Sequence, residues 1–201
     1  MGWRRLRSPK RGAGTQTRPA RPYRRLRRYL AVLLVLLLAW LIGGYLVIVT
    51  PSTDKPRSVD AVLVLGPPEE AGALARGRQL VEAGYARNLL VSVTAINTPA
   101  VDQFCRTGLA GVNVTCFIPS PTTTQGEARY LAATATRRGW KSVIVITGTY
   151  HVSRSRLRIE RCFHGTTLMI AADQHITADV WRYQFLYESG AWVKALIQSS
   201  C

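Results

Sequence analysis

Residues 142–158 read SVIVITGTYHVSRSRLR, and this stretch decides the fold. Its first six residues, SVIVIT, form a nearly continuous β-branched and apolar run, which is how a strand covered on both faces appears. Gly148 ends the run, and a helix is expected over about 152–162. The same alternation continues on both sides. Towards the N-terminus, residues 59–65 (VDAVLVL) read as a buried strand stopped by Gly66, Pro67 and Pro68. Helical spacing follows over 70–84 through Leu74, Leu80 and Val81. Then come a strand over 89–93, a helix over 99–107, a strand over 112–118 and a helix over 125–138 closed by Gly139. Towards the C-terminus lie a strand over 167–171 and a last helix over 178–197. Strands alternating with helices predict an α/β fold: a mainly parallel sheet with helices on both faces. Ligands of such sheets bind beyond the carboxyl ends of the strands.

Three strand ends carry candidate chemistry. After the first strand, the turn GPPEE at 66–70 has two residues without an amide proton and two carboxylates. It cannot cradle a phosphate, and no G-x-G-x-x-G or P-loop occurs, which argues against an ordinary NAD(P) or ATP site. Glu69 and Glu70 read as complements to the dipole of the following helix. At the second site, Thr124 stands three residues before Glu127, the spacing of a capping box. The functional alternative, compatible with capping, is that Glu127 orients a ligand hydroxyl or acts as a general base.

The third site is the segment 147–158. Gly148 permits close backbone approach, Thr147 and Thr149 offer hydroxyls, and the helix start offers free amides. His151, Arg154 and Arg158 are spaced i, i+3 and i+7, hence on one helical face. Cations at a helix N-terminus oppose the dipole, and a bound anion such as phosphate or carboxylate would relieve the arrangement. The bland alternative is a solvated basic face with a surface histidine.

The chain of 201 residues carries 27 Lys and Arg against 11 Asp and Glu, a formal +16. That charge invites a nucleic-acid partner, but its distribution argues against one. Eleven of the 27 cations fall within the first 28 residues, all 11 acids follow residue 50, and the remainder carries only +5. Next to the basic tail comes an uncharged run of 20 residues from Leu30 to Val49, LAVLLVLLLAWLIGGYLVIV. At 1.5 Å per residue it crosses roughly 30 Å of hydrocarbon. The expected organisation is a disordered cytoplasmic tail over 1–29, a transmembrane helix over 30–49, a linker over 50–58 and one extracytoplasmic domain over 59–201. The apolar run exceeds a signal-peptide core and lacks an A-x-A-like site, which favours an uncleaved anchor.

Cys105, Cys116, Cys162 and Cys201 all follow the apolar run, and an even number in an oxidising compartment suggests two disulfides. Three pairings are possible. Pairing Cys105 with Cys116 would close a short loop around Gly108 and Gly111 and leave Cys162 for Cys201. A metal site would have to draw on His151, His164 and His175, whose spacing with the cysteines matches no common zinc pattern. No cofactor is expected.

Three segments together, VLVLG at 62–66, TTTQGEA at 122–128 and VITGTYHVSRSRLRIERCF at 145–163, resemble the YdcF-like family of domains of unknown function, the SanA- and ElyC-type envelope proteins. The likeness covers about 59–170. Tyr150, His151 and Arg154 stand at its Y-H-x-x-R element, and Thr124, Glu127 and Ala128 at its T-x-x-E-A element. The cysteine-bearing form is similar to the actinobacterial branch, a likeness that supports pairing Cys162 with Cys201. The resemblance implies a Rossmann-like three-layer α/β/α sandwich and a role in envelope biogenesis or barrier function, without a settled reaction. It gives His151, Arg154 and Glu127 a pocket position, and the strand ends add Gly66, Thr124, Thr147, Gly148, Thr149, Tyr150 and Arg158 as candidate ligand-binding residues. Pro67-Pro68 and Val93-Thr94 depart from the glycines usual in the first two loops.

Three functions follow as expectations. The first is a membrane-anchored protein that binds an anionic, phosphate-bearing or lipid-linked envelope ligand at His151, Arg154 and Glu127. If it is a catalyst, it acts as a hydrolase or transferase at a phosphoryl or glycosyl centre, with the arginine stabilising charge and His151 or Glu127 moving a proton. The second is a non-catalytic envelope scaffold whose pocket is degenerate. The third, from fold analogy alone, is a nucleotide- or S-adenosylmethionine-binding enzyme.

Overall fold

The computed structural model describes residues 22–69, 72–172 and 176–201. The chain divides into two compact units, residues 1–39 and 40–201. Helix α1 (Pro22–Gly44) begins in the first unit; its end and the π-helical turn Tyr45–Val49 belong to the second. The segment Tyr23–Val49, of mean hydropathy 2.8, is long and apolar enough to cross a membrane. The basic tail was expected to lack structure through residue 29. Residues 1–21 lie outside the described residues, whereas 22–29 are helical. Arginine is a good helix former, Pro22 suits a first turn, and a helix nucleated in the apolar run propagates cheaply into both.

Five strands form one sheet: β1 (Ala61–Val64), β2 (Asn88–Ser92), β3 (Asn113–Phe117), β4 (Ser142–Gly148) and β5 (Thr166–Ala172). Their order is β3-β2-β1-β4-β5, and every neighbouring pair is parallel. The strand period of two sorts the core into two layers. Val62, Val64, Leu89, Val91, Ile144 and Ile146 join one cluster with α2 (Ala73–Glu82) and α3 (Pro99–Thr107). Ala61, Leu63, Leu90, Val143, Val145 and Met169 join the other with α4 (Thr124–Arg138) and α5 (Val152–Cys162). Both faces of the sheet are therefore covered, and β1 is wholly inaccessible. Each such Val or Leu contributes roughly 1.5–3 kcal/mol of burial. The helix expected from residue 70 starts only at Ala73, because Gly72 sits at φ 66°, outside the right-handed helical region.

The chain leaves β1 towards β2 on one side and reaches β4 on the other, so the switch in direction falls between β1 and β4. A crevice opens at the carboxyl ends of strands at such a point. Helix α6 (Ala178–Ile197) closes over that end and contacts the 3₁₀ turn Thr149–His151, α5 and the π-helical turn. Two disulfides hold the periphery. Cys105–Cys116 ties α3 to β3 and Cys162–Cys201 ties the end of α5 to residue 201. Residues 51–57, read as part of a linker, have no regular structure but are pinned. The Asp54 amide donates to Met169 O (2.8 Å), and its carboxylate accepts from the Met169 amide and from Arg156 (both 2.8 Å).

Candidate functional site

A cleft of about 720 Å³ occupies the switch point. The loop after β1 supplies Gly66, the end of β2 supplies Ser92 and Thr94, and the start of α4 supplies Thr122, Thr124 and Glu127. The 3₁₀ turn and α5 supply Tyr150, His151, Arg154 and Arg158, and α6 supplies Tyr183, Tyr187, Glu188 and Lys194. Segments more than 100 residues apart in sequence thus converge on one cavity.

Glu127 does not close a capping box. The N-cap of α4 is Thr123, whose hydroxyl accepts from the Gly126 amide at 3.4 Å. The carboxylate of Glu127 instead crosses to β1 and accepts from the Gly66 amide at 2.7 Å, with Ser92 as a second hydrogen-bond partner. The local spacing of Thr124 and Glu127 matched a motif, but a free amide at the neighbouring strand end competed successfully for the acid. Glu127 is 4% exposed, and burial raises its pKa above the usual carboxylate range against the hydrogen bonds from Gly66 and Ser92 and the charges of His151 and Arg154. Gly126 is required beside it, since a Cβ there would collide with the Pro121 carbonyl.

The anion expected to relieve the basic start of α5 is supplied from within the chain. Glu188 of α6 is 1% exposed and takes a bidentate fork from Arg154, Nε to Oε2 at 2.6 Å and Nη2 to Oε1 at 2.8 Å. His151 Nδ1 lies 3.2 Å from Glu188 Oε1 on the same carboxylate. Burial alone would push the Glu188 carboxyl up. The bonds and charges of Arg154 and His151 overcome that and hold it down at about 2. On the other side of the imidazole, Nε2 is 3.2 Å from the Thr124 hydroxyl. A carboxylate, an imidazole and a hydroxyl therefore stand in line, with the hydroxyl at the start of a helix.

Arg158 is 6% exposed, so this face is not the solvated one of the bland reading. Its guanidinium donates to the carbonyl and the side-chain oxygen of Gln198, at 2.7 and 3.2 Å. Both acceptors are neutral. Burial lowers its pKa, and the neighbouring Arg161 and Arg154 lower it further. Lys194, exposed on α6, adds a second cation to the same side of the cleft.

Other expected residues are placed differently. Thr147 and Gly148 line a separate cavity of about 30 Å³ with Gly66, Pro67, Tyr150 and His151, and Thr149 lines neither space. The close approach that Gly148 permits is made by the ring of Tyr150, which would stand 3.0–3.2 Å from a Cβ at that position. Glu69 accepts from the Thr98 amide at 3.1 Å, ahead of α3, instead of complementing the dipole of its own helix. Glu70 and His175 lie outside the described residues. Among the described residues no group of three or more His, Cys, Asp and Glu is arranged to hold a metal.

Glu188 and Lys194 were missed by the reading of motifs at strand ends. A signal existed for the first: Glu188 stands inside FLYESGAWV, and an acid in so apolar a helix needs a partner. Chemically, the arrangement offers a base at His151 Nε2, a buried acid of raised pKa at Glu127 and cations at Arg158 and Lys194. In sequence comparison the chain matches no family model and no curated protein.

Proposed function

We propose that the chain is a membrane-anchored extracytoplasmic protein of the YdcF-like type, acting in the cell envelope and binding a phosphate-bearing ligand in the cleft between α4, α5 and α6. One observation carries the ligand class. Arg154 is neutralised by Glu188, the buried Glu127 has its pKa raised, and among the described residues Arg158 and Lys194 line the cleft with no carboxylate bonded to them. An anion entering there restores charge balance. The three segments that carry the family resemblance, distant in sequence, meet at this one cleft, which supports the family reading.

The anchor and its orientation belong to the same proposal. Residues 30–49 cross the membrane with the basic tail on the cytoplasmic side, and the two disulfides suit an oxidising compartment outside. If the cleft turns its ligand over, His151 Nε2 takes a proton from a hydroxyl or water near Thr124 while the cations stabilise charge on the phosphoryl oxygens.

The test is mass spectrometry of lipids retained by the full chain extracted from its own membranes, followed by titration with a short-chain prenyl phosphate. A phosphate-bearing lipid should be retained, and Lys194→Gln and His151→Gln should both weaken the titration. Equal affinity of wild type and both variants would refute the assignment. A second reading, a non-catalytic scaffold, is favoured by the Arg154–Glu188 pair, which fills the place of an external anion. Complementation of a deletion strain by the double variant H151Q/K194Q would select it.

A further inference from the structure

Helix α6 is apolar on more sides than the domain can bury. One flank, with Glu188 and Ala195, is buried. A second takes the end of the apolar N-terminal run: Trp40 Nε1 donates to Ser189 Oγ at 3.1 Å, and its ring meets Phe185 edge-on at 5.2 Å. A third stripe remains, with Tyr183, Leu186, Tyr187, Val193 and Ile197 at helical spacing and 54–77% exposed. Leu41, Ile42, Tyr45 and Leu46 in the last turns of the run are exposed as well, and α6 packs against the π-helical turn that ends it. A helix apolar all round belongs in a core or in lipid.

Depth decides between these. Residues 40–49 are the second half of the 20-residue run and rise about 15 Å, half of the roughly 30 Å hydrocarbon core. These ten residues share a compact unit with α6, and the contacts of Trp40 and Gly44 with Phe185 and Ser189 set α6 beside them, at the depth of the outer leaflet in the anchor reading. Tyr183, Tyr187 and Lys194 suit the interfacial layer, where amphipathic rings and cationic heads are favoured.

We infer that the exposed stripe of α6 is a membrane-docking surface, resting against the outer leaflet of the bilayer that holds the end of the apolar run. Tyr183, Tyr187 and Lys194 also line the cleft, so its mouth opens against lipid headgroups and a ligand enters from the membrane. The inference rests on the anchor reading and not on the chemistry of the ligand.

The experiment uses the full chain in vesicles of phosphatidylcholine with phosphatidylglycerol, carrying one bimane-labelled cysteine at a time with both native disulfides verified intact. Leu33→Cys reports the anchor, Leu186→Cys and Val193→Cys the stripe, and Arg138→Cys the end of α4 at the opposite edge of the sheet. Doxyl-labelled lipid should quench the labels at 186 and 193 to a degree comparable with 33 and severalfold more than at 138, with iodide showing the reverse order. Quenching at 33 alone, with 186 and 193 behaving like 138, overturns the inference and leaves the anchor standing. No lipid quenching at 33 removes the anchor and the inference together. Labels at 186 and 193 shielded from both quenchers, with cross-links between copies through 186, make the stripe a dimer interface and also overturn it.

Discussion

The pKa values of two buried acids lining one cleft are shifted in opposite directions, and each leaves its own mark on stability. Glu188 is held at about 2 against an ordinary 4.5. Its contribution is complete above pH 4.5 and is lost as pH falls from there towards 2, an order of roughly 3 kcal/mol. Glu127 works the other way, because a raised pKa penalises the folded state wherever the unfolded carboxyl is ionised, so its cost grows as pH rises above about 4.5. Glu188→Gln should therefore lower stability at neutral pH by about 3–5 kcal/mol, since it leaves Arg154 buried without a counter-charge. Glu127→Gln should be neutral at pH 4 and stabilising at pH 8, which thermal melts at both values will check; a loss of stability at pH 8 would contradict the burial argument. Neither state was legible from sequence. Glu127 had a plausible local use as a cap, and Glu188 had no motif at all, since its partners are 34 and 37 residues away and meet it only through packing.

At the level of elements the sequence was more explicit. Residues 142–147 and 59–65 named their strands because burial on both faces leaves no polar alternation, and α3, α5 and α6 run over the expected residues. What slipped were the ends, where one residue changes a role. The cap of α4 is Thr123 and not Thr124, which frees the Thr124 hydroxyl to meet His151. Thr123→Ala should cost about 1 kcal/mol in chemical denaturation, the usual value of an N-cap hydroxyl, while Thr124→Ala should cost less. Gly126→Ala should cost about 1–3 kcal/mol, since the added methyl meets backbone and not a yielding side chain. If Thr124→Ala proves the more damaging of the two threonine changes, the cap has been misplaced.

In the whole molecule, sheet order was inferable only as a class. Alternation predicts parallel strands, but β3-β2-β1-β4-β5 depends on which way each crossover turns, and that is settled by packing across the entire chain. The cleft follows from the order, and α6 completes it. The cysteines beyond the apolar run left three pairings open, and the fold selects the two that join neighbouring elements, Cys105–Cys116 and Cys162–Cys201. The loops they close differ, 11 and 39 residues, so reduction should release about 3 and about 4 kcal/mol respectively. The longer one bears on the cleft. Cys201 O accepts from Arg129, Ser200 O from Gln125, and Gln198 from Arg158, so the final residues form a strap across the mouths of α4 and α5. An order of maturation follows. The sheet can assemble from its own register while the thiols are still reduced, whereas the strap gains its covalent tie only on oxidation. If the chain is exported as proposed, it would be folded and yet unfinished, with hydrogen exchange at 198–201 fast until Cys162 finds Cys201, and an oxidising compartment would decide when the proposed site is complete.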